Sequence, residues 1–409
     1  MAVTSAKKNV SWLILVGLCI FTFAVVTFYL PVGDLGIVIA TVGIALQITQ
    51  VRIPRPFLYF GAFVAWSFVA SFAAPFPEIA RLEVVERTKL LAIFLIATNA
   101  LRTSGQLRIF LWFFLACFIL FPVRGALLNF LNGYNLFGRA IWNFTFANPN
   151  DLAALSLITF GIALGLLSTK LTGTIARIAA SIGALLLLLV IFLTQSRGAI
   201  IGLVFGTTIA FGRACLKRPS LIVPALIIGL LFGHLLPEGL WERLSGLENL
   251  TNVSTIAEAD AEGSAAERLE IQQVALRIFL DNPIFGVGLG AYGESNALYA
   301  PHLGRKDTHN TYLSLAAEVG LPGLILWCAT FVSALLFGYR ARKSASSNSL
   351  ANQQVWIERG MWGFLVAGIF GSYGALTFPY LILAAIWCSA TLLSHNSQNA
   401  SGVTINGDH

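Results

Sequence analysis

The sequence predicts an all-α polytopic membrane protein, with about twelve transmembrane helices and one large folded loop on the outer face. Three observations lead there. Of 409 residues 57% are hydrophobic and 11% charged, at mean hydropathy +0.78, whereas a soluble chain carries roughly 25% charge. Apolar, nearly charge-free stretches of spanning length recur along the chain, and the basic residues segregate by loop. Only lipid keeps such a composition dispersed.

About 20 apolar residues cross a bilayer, and packed or tilted helices fall on either side of that length. Twelve segments qualify: 10–30, 35–51, 56–77, 88–101, 109–123, 152–169, 178–196, 198–212, 219–237, 319–339, 360–374 and 376–393. The fourth is short and holds Lys89 near its start, so an interfacial placement competes with a span. Lys7 and Lys8 precede the first segment without a small-residue cleavage site, which reads as a retained span with a cytoplasmic start.

Charge distribution decides the fourth segment. With all twelve spans, 15 of 26 basic residues and only Glu358 and Asp408 of 19 acidic ones fall inside, giving +13 inside and −6 outside. Dropping one span reverses everything after it and breaks the positive-inside rule. Both termini are therefore expected in the cytoplasm. The parts are nine helices over 1–237, an outer loop over 238–308, an outer helix start with the last three spans over 309–394, and a cytoplasmic tail over 395–409. No internal repeat is visible.

The loop 238–308 holds 11 acidic and 5 basic residues. A structureless connection of that length is unusual, so it is expected to fold and to carry function. Ser264 and Glu267 have capping-box spacing, and good helix formers fill 265–281 before Asn282-Pro283. A second outer segment, 124–151, contains Arg139 and the Asn148-Pro149-Asn150 turn.

Several classes fall away. The net charge of +7 is explained by location, so no nucleic-acid partner is implied. Cys19, Cys117, Cys215, Cys328 and Cys388 show neither a disulfide framework nor a zinc pattern. The glycines of 286–293 follow Asn-Pro rather than a strand, which excludes a dinucleotide loop and favours a turn for close backbone approach. Glu258-Ala-Asp260 looks like a short acidic metal motif but sits in a stretch that reads as a mobile acidic loop. Neither cofactor nor metal is expected.

Three residues stand out chemically. Arg197 is the one charge between Arg177 and Arg213, at the outer ends of two apolar runs. Interfacial snorkelling explains such an arginine; so does anchoring a phosphate, for which its planar fork is suited. Arg268 lies in the first turn of the loop helix, where free N–H groups favour anions, whereas Arg277 projects from the opposite side. Pairing with Glu267 or Glu270 is the bland alternative. His309 heads a polar-to-apolar transition with Thr308 or Asn310 as cap and a break at 320–323; its imidazole titrates near neutrality and can take a proton from a hydroxyl. His302 competes with it but lacks comparable context.

Together, Ser196-Arg-Gly-Ala199 at a span boundary, Arg268 upstream of Asn282-Pro283 and the 286–293 turn, and His309-Asn310 with Tyr312, Glu318 and Gly320 resemble the O-antigen ligase and polymerase superfamily. The interval from His309 to Gly320 is the His-x10-Gly of O-antigen ligases, while their Arg-x3-Leu appears here as Arg268 with Gln272 in the fourth place. The resemblance implies a membrane glycosyltransferase fold of type C in the bacterial inner membrane, with its active site facing the periplasm. It implies an undecaprenyl-diphosphate-linked glycan donor, a lipid A-core or lipid-linked glycan acceptor, and inversion without metal or nucleotide. Arg197 and Arg268 would hold the diphosphate and His309 would act on the acceptor hydroxyl. Arg139, Asn310, Tyr312 and Glu318 would support them.

A ligase is favoured on His-x10-Gly and compact size. The alternative is a polymerase of lipid-linked O-antigen or exopolysaccharide repeats. A protein oligosaccharyltransferase fits less well, since only about 15 polar residues follow the last span. A secondary transporter or lipid-linked glycan flippase, the second alternative, would be expected to show related halves and ionisable residues at the span centres.

Overall fold

The computed structural model describes residues 2–28, 30–169, 173–217, 264–345 and 349–400. Among them no strand forms, and a single isolated bridge joins Leu136 to Arg139. The helices are α1 (Ala2–Thr27), α2 (Gly33–Ala45), α3 (Arg55–Ala70), α4 (Pro77–Ala100), α5 (Ser104–Phe118), α6 (Arg124–Leu131), α7 (Pro149–Leu167), α8 (Thr174–Leu193), α9 (Arg197–Lys217), α10 (Ser264–Asp281), α11 (Tyr292–Tyr299), α12 (Thr311–Ser344), α13 (Ser349–Ala367) and α14 (Thr377–Ala400). Five stretches of described helix are long and apolar enough to cross a membrane: Ser104–Leu131, Pro149–Leu167, Thr174–Leu193, Thr311–Ser344 and Thr377–Ser397. Shorter apolar helices cover Ser11–Thr27, Gly33–Ala45, Arg55–Ala70 and Arg197–Thr208. The chain is a multi-pass membrane protein.

Helix boundaries depart from the apolar segments where polar residues or glycines decide. The segment 88–101 is the second half of α4, whose first half is charged and stapled along its own surface by Glu83–Arg87 at 3.1 Å and Glu86–Lys89 at 2.7 Å. The segment 109–123 does not end where expected: a π-helical turn over Ile119–Val123 absorbs Pro122, and the helix runs on through α6 to Leu131. The segment 360–374 is only half helical. α13 starts at Ser349 and stops at Ala367, leaving 368–376, with Gly368, Gly371 and Gly374, as a loop. The outer helix expected over 265–281 forms as Ser264–Asp281. The segment 219–237 and the Glu258/Asp260 pair lie outside the described residues.

α14 is the centre of the bundle. From Phe378 to Ile386 the side chains at 378 and 380–386 are at most 3% exposed, as expected of a helix apolar on every face. Tyr380 stacks on Phe60 of α3 at 4.5 Å between ring centroids and accepts from Trp327 Nε1 of α12 at 3.0 Å. α13 fits between α7 and α9 because small residues let backbones touch: a Cβ on Gly161 would lie 2.6 Å from Trp356 O, and one on Gly202 would lie 2.3 Å from Gly363 O. The tops of α7 and α9 are thereby fixed relative to the 368–376 loop that α13 feeds.

Inside α12, Gly320 adopts φ 68 and ψ −177 and divides the helix. The break frees carbonyls, and the glycine-rich turn takes them: Val287 N donates to Ala317 O at 2.9 Å and Gly288 N to Glu318 O at 2.8 Å. Trp66 Nε1 covers Val319 O at 2.8 Å, and Leu321 N reaches Pro283 O at 2.9 Å. A Cβ on Gly286 would fall 2.3 Å from Glu318 C. Close backbone approach, the role read for this turn, is made here to another helix.

The conformation of Gly320 is essentially restricted to glycine, and an added Cβ would sit 2.0 Å from Ile284 O. Gly320→Ala should cost about 3 kcal/mol or more, read as a clear drop in thermal midpoint in detergent. An unchanged midpoint would contradict the break's role in holding residues 283–288 to the bundle.

Candidate active site

Thr311, the first residue of α12, fastens the site. Its N–H donates to Gly368 O at 2.8 Å and Gly371 O at 2.9 Å, its hydroxyl donates to Gly371 O at 2.6 Å, and the same oxygen accepts from Tyr373 N at 2.8 Å. Ser372 Oγ adds a bond to Asp307 Oδ1 at 2.6 Å and lies 3.2 Å from Thr308 Oγ1. Asn310 is the cap: its side chain accepts from Tyr312 N and Leu313 N at 3.0 and 3.1 Å. His309 is caught between these anchors at φ 50, a left-handed conformation unusual for a side-chain-bearing residue. Its backbone is over-determined on both sides, which is how such strain persists.

The same loop reaches α7 and α9. Tyr373 OH donates to Asn150 O at 3.2 Å, at the start of α7. Gly198 faces Phe370 so closely that a Cβ would lie 2.6 Å from Phe370 Cβ, which puts neighbouring Arg197 beside the loop. Ser196 Oγ accepts from Ala199 N at 3.4 Å at the head of α9. Gln195, two residues before the helix, is left-handed at φ 51, just as His309 is two residues before α12. One nine-residue loop therefore has Arg197 at one side and His309 at the other.

Arg139 holds the frame and is buried, 8% exposed. Its Nε donates to Thr194 O at 2.7 Å, capping α8, and Nη2 reaches Asn150 Oδ1 at 2.7 Å, tying α8 to α7. Gln195 Nε2 to Gly138 O at 3.1 Å and Ala140 N to Leu193 O at 2.9 Å complete that seam.

α10 lies across the outside of this frame. Ile271, Ala275 and Ile278 are buried against Val287, Tyr292 and Ala317, and Tyr292 OH donates to Ile271 O at 3.0 Å. Helical spacing puts Arg268 on that inward stripe, while Arg277 is exposed. The carboxylates flanking Arg268 are occupied elsewhere: Glu267 pairs with Lys306 at 2.8 Å and Glu270 with His302 at 2.6 Å. Among the described residues Arg268 makes no ion pair. His302, the competitor of His309, is accounted for by that contact with Glu270.

Electrostatic reach links these elements. Burial, and after it the Arg268 guanidinium, hold the His309 imidazole below its ordinary value, against the opposing pull of Asp307 and Glu267. Tyr373 lies within electrostatic reach of Asp151, Arg139, Arg268 and Asp307. His309 is half-buried and neutral near pH 7, within electrostatic reach of a cation, in a form able to accept a proton. Among the described residues no group of three or more His, Cys, Asp or Glu has the arrangement to hold a metal ion.

The sequence candidates thus divide by what they touch. Arg268 and His309 share a field, and Arg197 lies at the other side of the 368–376 loop. Asn310, Tyr312 (OH to Leu365 O, 2.7 Å) and Glu318 are anchors; the Glu318 carboxylate takes bonds from Ser314 Oγ at 3.3 Å and from the Gly290 backbone. Asn150, Asp151, Asp307, Ser372 and Tyr373 were not singled out by sequence reasoning. Asn150 and Asp151 carried the signal of a polar pair just inside a helix start, whereas Ser372-Tyr373 was submerged in an apolar run.

Residues 182–328 match the family model described as O-antigen ligase, a stretch that includes Arg197, Arg268, His309, Asn310, Tyr312 and Glu318 but not Arg139. The superfamily resemblance read from the motifs holds over this stretch, which corresponds to glycosyltransferase-like enzymes of O-antigen or polysaccharide assembly. No curated protein matches the chain.

In Arg268→Gln, His309 should titrate at higher pH than in the unaltered protein, because a cation that disfavours imidazolium is gone while Asp307 remains. Histidine NMR, assigned with His309→Gln, checks this. An unmoved midpoint would separate the two residues.

Proposed function

We propose that the chain is an O-antigen ligase, transferring a preassembled glycan from undecaprenyl diphosphate to a lipid A-core hydroxyl on the periplasmic face of the bacterial inner membrane. The supporting observation is the pairing of an arginine whose neighbouring carboxylates are engaged elsewhere with a histidine kept neutral beside it. The fold assigned is the twelve-span arrangement, with both termini cytoplasmic and 238–308 outside.

Chemistry on that face draws on no nucleotide supply, so the donor brings its own activated bond. Arg197 and Arg268 hold the diphosphate as bidentate forks and offset the charge that accumulates on it. The acceptor oxygen attacks the anomeric carbon from the side opposite the leaving group, the carbon–oxygen bond to the diphosphate breaks, and the electron pair leaves with undecaprenyl diphosphate. The acceptor proton passes to a ring nitrogen of His309. The two guanidinium charges do the work that a divalent cation does in other transferases. Arg139 and Tyr373 hold the helix ends that carry this group.

A polymerase would use the same donor half of the site and differ only in its acceptor, another lipid-linked repeat. The matched family stretch is compatible with both. A transporter gains little from a neutral histidine beside an uncompensated arginine at one face of the bundle.

Purified protein, given the lipid-diphosphate glycan with lipid A-core or lipid-linked repeat in separate reactions, should transfer to lipid A-core in the presence of chelator. His309→Ala should lower the rate about 10² to 10⁴-fold, and Arg197→Ala or Arg268→Ala about 10² to 10³-fold. Elongation of the repeat alone would make the chain a polymerase. Donor crossing vesicle membranes without transfer would make it a transporter. Since the neutral imidazole is the working form, the rate should fall as pH drops through a midpoint below about 6.5; a pH-independent rate would remove His309 as the base.

A further inference from the structure

The end of the bundle opposite His309 carries a cavity of about 530 Å³ where α3, α12 and α14 diverge. Arg55 enters it from the first turn of α3 and Arg340 from the far end of α12. Tyr59, Phe337, Trp387 and Ser333 supply half of the remaining lining residues. The placement follows from helical spacing: Arg55 and Tyr59 are four apart on α3, and Ser333, Phe337 and Arg340 form one stripe on α12.

Its charge is one-sided. No carboxylate lines the cavity, and among the described residues neither arginine forms an ion pair. Glu358, the acidic residue packed against this end of α12, is engaged by Arg342, whose Nε lies 3.1 and 3.2 Å from its two oxygens. Tyr59 and Leu336 beside the cavity are 40% and 47% exposed on the apolar flank of the bundle, so the space opens sideways towards lipid. Two guanidinium groups over an apolar, aromatic-walled cleft fit a phosphodiester with acyl chains attached better than a soluble anion, which would leave that wall without a partner.

We propose that this cavity binds the headgroup of an anionic phospholipid, with Arg55 and Arg340 on the phosphate and the acyl chains running along Tyr59, Phe337 and Trp387. The site is separate from the transfer chemistry and does not depend on it. The sequence places both arginines on the cytoplasmic side, where anionic lipid headgroups meet basic pockets between helices.

Native mass spectrometry of the full-length protein, delipidated and supplied with phosphatidylglycerol or phosphatidylcholine, tests it. Two basic contacts predict a preference of roughly thirtyfold for phosphatidylglycerol, reduced to near parity in Arg55→Gln/Arg340→Gln. Ser333→Phe keeps both charges and narrows the cavity against Phe337 and Trp387, so it should lose the bound lipid as well; it carries the test if the double variant does not fold. Equal retention of the two lipids, or phosphatidylglycerol kept by a folded double variant or by Ser333→Phe, would overturn the site. Displacement by millimolar inorganic phosphate would also overturn the lipid assignment, leaving a soluble-anion site.

Discussion

The hydroxyl of Thr311 is the joint on which the His309 end of the bundle depends. It donates to Gly371 O and accepts from Tyr373 N, closing the 368–376 loop onto the first residue of α12. A non-helical segment at the edge of an apolar bundle must have its backbone groups satisfied by protein, and Thr311 with its own N–H satisfies Gly368 and Gly371 together. Everything that approaches the site is positioned from this point: His309 two residues before it, Phe370 against the head of α9, and Tyr373 against the head of α7.

A second constraint is electrostatic economy. The chain has few charges, and several near His309 are taken up in specific pairs: Glu267 with Lys306, Glu270 with His302 and Glu294 with Arg305. Arg139 is consumed by the ends of α8 and α7. Among the described residues Arg268, within electrostatic reach of the half-buried His309, makes no ion pair.

Much of this was legible in the sequence, and the reasons differ by residue. The helix over 265–281 was visible because its capping spacing and its Asn-Pro stop are local signals. The break at Gly320 was visible because Gly-Leu-Pro-Gly punctuates an apolar run. The opposition of Arg268 and Arg277 needed only helical geometry. The extent of α4 was hidden because hydropathy sees an apolar half and misses a charged half stabilised along its own surface. The 368–376 loop was hidden because Phe370, Tyr373 and Leu376 are as apolar as a span, and only tertiary bonds to Thr311 and Asn150 show that the chain there is not a helix. Arg139 was singled out as a helper to the ligand, and the structure gives it a framework task, since a carbonyl to cap is not a sequence-local feature.

We propose that Arg197, Arg268 and His309, carried on separate elements, address one diphosphate-linked sugar. Electron cryomicroscopy of the full-length protein in lipid nanodiscs, with a non-transferable phosphonate analogue of the lipid-diphosphate glycan, tests it most directly. The account predicts the diphosphate between Arg197 and Arg268, with the first sugar turned towards the ring of His309. Diphosphate density elsewhere in the bundle, or a sugar out of reach of His309, would contradict it.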